Sequence, residues 1–129
     1  MKKTGILNRE LASILARLGH TDTIIIADCG MPIPEDTKCV DLSVTLGSPS
    51  FESILQVIAD DMEIEAITLA EEMKQHNASI HDNVLSYSKS IHYTSHEDLK
   101  TQAKNAKAVI RTGENTPYAN AILQSGVIF

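Results

Sequence analysis

Apolar residues recur at two different periods along this chain, and the alternation of these periods predicts helices and strands in turn. Leu11, Ile14 and Leu18 have helical spacing, with Asn8 before them and Gly19 after them. Asparagine is a favoured N-cap, and glycine commonly follows the last turn of a helix. The pattern therefore predicts a first helix that begins at Asn8 and stops at Gly19.

A β-branched run, Ile24–Ile26, follows this helix and predicts a strand over Thr23–Ala27 that is covered on both faces. Gly30 and two nearby prolines force irregular backbone directly after the strand. Similar patterns predict five further strands, at Val40–Val44, Met62–Leu69, Ile91–Thr94, Ala108–Arg111 and Ala121–Leu123. They also predict three helices. The first has Ser48 as N-cap, Pro49 at its first position and Phe51, Ile54, Leu55 and Ile58 on one face; the second is short and carries Ile80, Val84 and Tyr87; the third starts at Ser95. Strands alternating with helices predict an α/β fold, a mixed or largely parallel sheet flanked by helices.

Composition narrows the function classes. The chain has 129 residues, of which 43% are apolar, so residues 1–129 are expected to form a single domain. A net charge of −6 argues against nucleic acid or an anionic membrane as partner, since both bind basic surfaces. No signal peptide is visible, and no apolar run approaches the roughly 20 residues of a membrane span, so a cytoplasmic location is expected. Cys29 and Cys39 are expected to remain thiols there.

The motifs of common cofactors are absent from the sequence. It has neither a glycine-rich phosphate loop nor a dinucleotide fingerprint, so no cofactor is expected. His92 and His96 are four residues apart, but a strand end and a helix cap are predicted between them, and no metal site is expected. The acidic pairs Asp60–Asp61 and Glu71–Glu72 are interpreted as solvated faces.

Two ionisable residues bracket the predicted strand at Thr23–Ala27. His20 could cap the negative end of the first helix, or it could act as a general acid and base, since its ordinary pKa suits proton transfer near neutral pH. Asp28 could hydrogen-bond the turn that follows it, or it could bind a ligand at the strand end, where α/β proteins place their sites.

The loop before the last predicted strand offers two further candidates. Tyr118 and Asn120 are two residues apart, so in an extended segment their side chains would point the same way. A phenol and an amide on one face suit a polyhydroxylated ligand. The alternative is structural, with the tyrosine ring packed and the asparagine in a turn.

Four segments together resemble the D-ribose pyranase, or ribose mutarotase, family. They are Gly19-His20-Thr21-Asp22, Asp28-x-Gly-x-Pro-x-Pro, Thr94-Ser95-His96-Glu97 and Gly113-Glu114-x-x-Pro117-Tyr118-Ala119-Asn120. The resemblance runs over the whole chain. The sister family of L-fucose mutarotases typically has Gly-His-Gly-Asp and Asp-Ala-Asn-Phe-Pro at the first two segments, so the ribose branch is favoured.

The resemblance implies a ribose pyranase-like fold and cofactor-free exchange of β-D-ribopyranose with β-D-ribofuranose, which supplies ribokinase in ribose catabolism. It implies His20 as the catalytic acid, and Asp28, His96, Tyr118 and Asn120 as sugar-binding residues. It further implies a homodecamer built from two pentameric rings. The alternatives are an L-fucose mutarotase and a non-catalytic sugar-binding or regulatory protein.

The spacing of His20 and Asp28 raises a geometric problem. Eight extended steps at about 3.3 Å each would separate the two residues by roughly 26 Å, which is more than one ribose can span. Either residues 19–22 fold back over the strand, or the two residues meet the same sugar from different subunits.

Overall fold

The computed structural model describes all residues from Met1 to Phe129. Its elements along the chain are α1 (Arg9–Arg17), β1 (Thr23–Ala27), β2 (Cys39–Asp41), α2 (Phe51–Ala59), β3 (Ile64–Ala70), α3 (Met73–His76), α4 (Ala78–Val84), β4 (Ile91–Thr94), α5 (His96–Gln102), β5 (Ala108–Arg111) and β6 (Ala121–Ser125). Short 3₁₀ turns follow α4 at Leu85–Tyr87 and α5 at Ala103–Asn105.

The six strands form one sheet in the order β2-β5-β1-β6-β3-β4. All neighbouring pairs are parallel except those of β6, which runs antiparallel to both β1 and β3. Five strands therefore end at the same edge, which we call the carboxyl edge, and β6 begins there. The opposite edge is called the amino edge. The predicted mixed sheet is confirmed.

Helices cover both faces of the sheet because side chains alternate along β1. Ile24 and Ile26 face a core that includes Leu11 of α1 and Phe51 of α2. Ile25 and Ala27 face the other side, where Leu99 of α5 packs. The three isoleucines of β1 are wholly buried, and burying each side chain contributes about 1.5–3 kcal/mol. The predicted two-sided burial of this strand is thus confirmed.

Two predicted helix starts are confirmed by their capping bonds. Asn8 Oδ1 accepts from the backbone N–H of Leu11 at 2.9 Å, and Ser95 Oγ accepts from that of Asp98 at 3.1 Å. Both bonds satisfy amide donors that the first turn of a helix leaves free.

The predicted start of α2 was wrong. Its N-cap is Ser50, whose Oγ accepts from Ser53 N at 3.2 Å, and not Ser48. Ser48 is instead held in a tight turn, where its carbonyl accepts from Thr45 N and its own N–H donates to Thr45 O. Backbone used in this way cannot also open a helix.

Other boundaries differ by a few residues. The strand predicted in Val40–Val44 is Cys39–Asp41, because Asp41 Oδ1 accepts from Ser43 N at 3.0 Å and turns the chain. The strand predicted in Met62–Leu69 is Ile64–Ala70, and the short helix α3 follows it. None of the helices combines the length and apolar character needed to cross a bilayer.

Candidate functional site

Asp28 and Asn120 are joined at the carboxyl edge, where β1 ends and β6 begins. Asn120 is wholly buried; its Oδ1 accepts from Asp28 N at 2.9 Å, and its Nδ2 donates to Asp28 Oδ2 at 2.8 Å. The other carboxylate oxygen accepts from Gly30 N at 2.9 Å, as the turn interpretation of Asp28 predicted. The carboxylate is therefore fixed in one orientation, half-buried at the strand end.

The ring of Tyr118 lies between two histidines. Its centroid is 5.1 Å from that of His96 in an edge-to-face contact, and 5.6 Å from that of His76 in a tilted one. Tyr118 has φ of +57°, in the left-handed region, so the extended segment predicted over residues 118–120 was wrong. The tyrosine ring contacts histidines, while the Asn120 amide is committed to Asp28.

His96 opens α5 immediately after β4, and a carboxylate from the turn between β3 and α3 holds its backbone. Glu72 accepts from His96 N through both oxygens, at 3.2 Å and 3.0 Å. Glu72 is half-buried, so its interpretation as part of a solvated face was wrong. His96 Nδ1 is buried without a hydrogen bond in the chain, so no contact fixes which ring nitrogen carries the proton.

The loop before β6 is anchored to the helices around it. Buried Glu114 accepts from the first amide of α2, Phe51 N, at 3.0 Å, and from Thr116 Oγ1 at 2.8 Å. Asn77 Nδ2 donates to Thr116 Oγ1 and to Pro117 O, both at 2.9 Å. These bonds fix the backbone that carries Tyr118.

His20 lies at the amino edge, beside the start of β3 and the end of β6. Its Nε2 is 3.2 Å from each carboxylate oxygen of Glu65, and Gln124 Nε2 donates to Glu65 Oε2 at 2.9 Å. The hydrogen bond from His20, followed by that from Gln124, lowers the pKa of Glu65 from its usual 4.5. The helix-capping interpretation required His20 to contact the end of α1. The ring hydrogen-bonds the Glu65 carboxylate instead.

A tight turn determines where His20 projects. Gly19 N donates to Asp22 Oδ2 at 2.8 Å, and Asp22 N donates back to Gly19 O at 3.2 Å. Thr21 N donates to Ser125 O of β6 at 2.9 Å, with Thr21 itself at φ +72°. The turn fastens His20 to the sheet before any ligand is present.

The structure brings together four of the five predicted site residues. Asp28, Asn120, Tyr118 and His96 all belong to the carboxyl edge. His20 lies at the opposite edge, because the five residues of β1, at about 3.3 Å each, put roughly 17 Å between the two ends. The turn at residues 19–22 does not fold back over the strand.

Sequence reasoning missed Glu65, Gln124, Glu72 and His76, which contact the predicted residues. Glu65 is 45 residues from His20 along the chain, and no local pattern connects them. His76 precedes a predicted helix by a few residues, and apart from its being a histidine no sequence pattern around it indicated a role in the site.

One cavity of the chain lies away from the predicted residues. A cavity of 380 Å³ at the amino edge is lined by Ser13, Ile14, Arg17, Leu18, Asp22, Lys38 and Lys107. It contains none of the five candidates. No group of three or more His, Cys, Asp and Glu side chains is arranged to hold a metal ion.

The fold and its carboxyl edge define a class of protein. The fold is a single-layer mixed sheet between helices. A carboxylate, a phenol, an imidazole and an amide lie together at the strand ends, and these groups suit a ligand rich in hydroxyls. A model of the RbsD / FucU transport protein family matches residues 1–128, and the chain belongs to this family.

Similar proteins match over their full lengths. The chain is 59% identical over 131 aligned residues to a D-ribose pyranase of Bacillus cereus (strain ATCC 10987 / NRS 248), and 57% identical over 129 residues to the D-ribose pyranase of Halalkalibacterium halodurans. Both alignments cover all of this chain and all of the relative.

Solved structures show the same fold. Bacillus subtilis RbsD complexed with D-ribose matches with a TM-score of 0.97 at 50% identity, and the match covers all of both chains. The fucose mutarotase of Streptococcus pneumoniae in complex with L-fucose matches with a TM-score of 0.79 at 23% identity over 95% of each chain. At that identity the likeness extends to the fold alone.

Proposed function

We propose that this protein is a D-ribose pyranase, an isomerase that exchanges the six-membered and five-membered ring forms of D-ribose. The observation that carries the proposal is the full-length match, at a TM-score of 0.97 and 50% identity, to a structure complexed with D-ribose. Full-length relatives named D-ribose pyranase support it at 56–59% identity.

The reaction needs only proton transfers. Opening the pyranose breaks the bond between C1 and the ring oxygen; the ring oxygen gains a proton, the anomeric hydroxyl loses one, and C1 becomes an aldehyde. Attack of the 4-hydroxyl on C1 then closes the furanose, with one proton lost from that hydroxyl and one gained by the carbonyl oxygen. No electrons are gained or lost overall, so the balance requires no redox cofactor.

In this proposal His20 protonates the ring oxygen as the general acid. Asp28, His96 and Tyr118 bind the sugar hydroxyls, and Asn120, whose amide is committed to Asp28, contributes to sugar binding by orienting that carboxylate. The fixed Asp28 carboxylate supports its role, because oxygens that already point in one direction lose little freedom when a hydroxyl donates to them. A positioned acid typically contributes about 10²–10⁴-fold, which suits a reaction that also proceeds slowly in water.

The site is proposed to lie between two copies of the chain. His20 is at the amino edge and Asp28 at the carboxyl edge, so one sugar meets both only if the residues come from different subunits. This arrangement accords with a homodecamer of two pentameric rings in the cytoplasm, where the furanose is used by a sugar kinase. A monomer would hold an incomplete pocket.

Magnetisation-transfer NMR on D-ribose tests the proposal directly. We expect the wild-type protein to accelerate exchange between ribopyranose and ribofuranose signals, and His20→Ala to abolish most of that acceleration. His92→Ala is the matched control, since His92 is an exposed histidine whose ring bonds Ser90 at 3.1 Å.

Two results would contradict the proposal. Saturable ribose binding without faster exchange would identify a sugar-binding protein, and faster anomer exchange on L-fucose than on D-ribose would identify a fucose mutarotase. Wild-type exchange by His20→Ala would remove His20 from the acid role.

Mixing His20→Ala with Asp28→Asn subunits tests the shared site, because mixed assemblies would contain some intact pockets.

A further inference from the structure

The hydrogen bonds of His20 distinguish its two ring nitrogens. Both carboxylate oxygens of Glu65 lie 3.2 Å from Nε2. An ionised carboxylate only accepts hydrogen bonds, so Nε2 must carry a proton to make this contact. The nitrogen left for exchanging a proton with another molecule is Nδ1.

Glu65 is itself held in place by the sheet. Gln124 Nε2 donates to Glu65 Oε2 at 2.9 Å, from the strand that pairs with β3 at this point. The imidazole is thus connected through Glu65 to a second strand. A histidine whose one nitrogen donates to a fixed carboxylate has its tautomer and its ring orientation set by that contact.

We propose that Glu65 is a positioning residue for proton transfer, holding the Nε2–H of His20 and leaving Nδ1 to face the sugar. This inference rests on the proposed function, in which His20 is the proton donor. During ring opening the imidazolium gives its Nδ1 proton to the ring oxygen of ribose, the electrons of the C1–O bond stay on that oxygen, and the anomeric hydroxyl releases its proton to water. His20 then takes a proton back at Nδ1 and keeps Nε2–H throughout.

The exposure of the pair separates this role from a structural one. The side chains of His20 and Glu65 are 49% and 45% exposed in the chain, and exposed ion pairs contribute little to stability. Replacement of Glu65 should therefore leave folding intact. An effect on catalysis could not then be attributed to a damaged fold.

The test compares Glu65→Gln with Glu63→Gln, which removes a neighbouring carboxylate that forms no hydrogen bond or ion pair with His20. In NMR exchange measurements over a range of ribose concentrations, we expect Glu65→Gln to lower turnover about tenfold or more, part of the 10²–10⁴-fold of a positioned acid, while KM changes little. Glu63→Gln should resemble the wild type in both constants.

Nitrogen-15 NMR of the His20 ring supplies a readout that does not depend on turnover. In the wild type the neutral ring should carry its proton on Nε2, and in Glu65→Gln the two nitrogen shifts should move towards each other as the tautomers mix. A neutral wild-type ring protonated on Nδ1, or unchanged turnover in Glu65→Gln, would overturn the inference while leaving His20 as the acid. If His20→Ala keeps full exchange, the acid role of His20 fails instead, and with it the role of Glu65; the ring spectra would then report only on the hydrogen bond. The proposed function itself fails only if the wild-type protein does not accelerate ribose exchange.

Discussion

Asn120 directs both of its side-chain hydrogen bonds at Asp28, one to the backbone N–H at 2.9 Å and one to the carboxylate at 2.8 Å. The amide therefore matches both a donor and an acceptor of a single residue. It does so from a position with no solvent exposure. The residues are 92 positions apart in the chain and adjacent in the sheet.

Asn120→Asp should weaken ribose binding and stability together. The substitution keeps the acceptor for Asp28 N but places a second carboxylate oxygen against Asp28 Oδ2, where like charges repel. Loss of a buried, charge-assisted hydrogen bond costs about 1–3 kcal/mol. Urea denaturation and ribose titration calorimetry check both effects. Asn115→Asp adds the same charge at an exposed loop position, and equal losses in that variant would refute the specific role of Asn120.

Glu114→Ala and Glu114→Gln should separate the hydrogen bond of this side chain from its charge. Alanine removes the acceptor for Phe51 N, so we expect a loss of about 1–3 kcal/mol. Glutamine can keep an oxygen towards Phe51 and an amide towards the hydroxyl of Thr116, so only the charge near the start of α2 is lost, a term of about 0.3–1 kcal/mol. Thermal or urea unfolding of the two variants measures the difference, and equal destabilisation would show that the charge alone matters.

Gly113→Ala should destabilise the fold strongly. A Cβ at this buried position would collide with the backbone carbonyls of Ser48 and Thr45, which cannot move away as a flexible side chain could. Overpacking of this kind typically costs about 1–3 kcal/mol or more. Gly19→Ala is the control, because its Cβ would meet nothing nearer than the Asp22 carboxylate at 3.6 Å. The midpoints of urea unfolding should differ clearly between the two variants.

Asp41 should make stability depend on pH in the acid range. The hydrogen bond from the Ser43 hydroxyl is the largest cause that holds the pKa of Asp41 below its usual 3.8. Burial, the second cause, opposes it, and the Ser43 backbone N–H and Arg111 lower the pKa further. A carboxyl whose pKa is lower in the folded state contributes stability above pH 3.8 and loses that contribution as the pH falls through the folded value.

Asp41→Asn should therefore be less stable than the wild type at pH 6, by less than about 1 kcal/mol because the carboxyl is largely exposed, and the difference should shrink as the pH falls below 4. Urea unfolding across pH 3–7 measures it. Asp36→Asn, at another exposed position, is the control. A difference that grows towards low pH would contradict the assignment.

Local chemistry made much of the fold predictable. The isoleucine run of β1, the N-caps Asn8 and Ser95 and the spacing of apolar residues in α1 each act over a few neighbouring positions, and the structure agrees with them. The start of α2 was not predictable, since Ser48 and Ser50 both suit an N-cap. Only the pairing of residues 44–48 into a turn decides between them.

The candidate site was also predictable only in part. Residue types and strand ends pointed to Asp28, Tyr118 and Asn120. The contacts around them depend on strand order, because β6 must enter the sheet between β1 and β3 before Asn120 reaches Asp28 or Gln124 reaches Glu65. No short-range pattern encodes that insertion. Tyr118 shows a related limit, since its left-handed backbone follows from the anchored loop and not from the identity of its neighbours.

The central place of β6 also has a consequence for how the chain acquires its structure. The strand is made after all the others, yet both halves of the sheet pair with it. During synthesis, β1 and β3 must wait with open edges until residues 121–125 leave the ribosome. A topology with such distant pairings folds slowly and exposes unpaired strands in the meantime. Ile24–Ile26, the most apolar stretch of the chain, would be exposed during that delay, so the nascent chain is expected to be open to wrong strand pairing until β6 is in place.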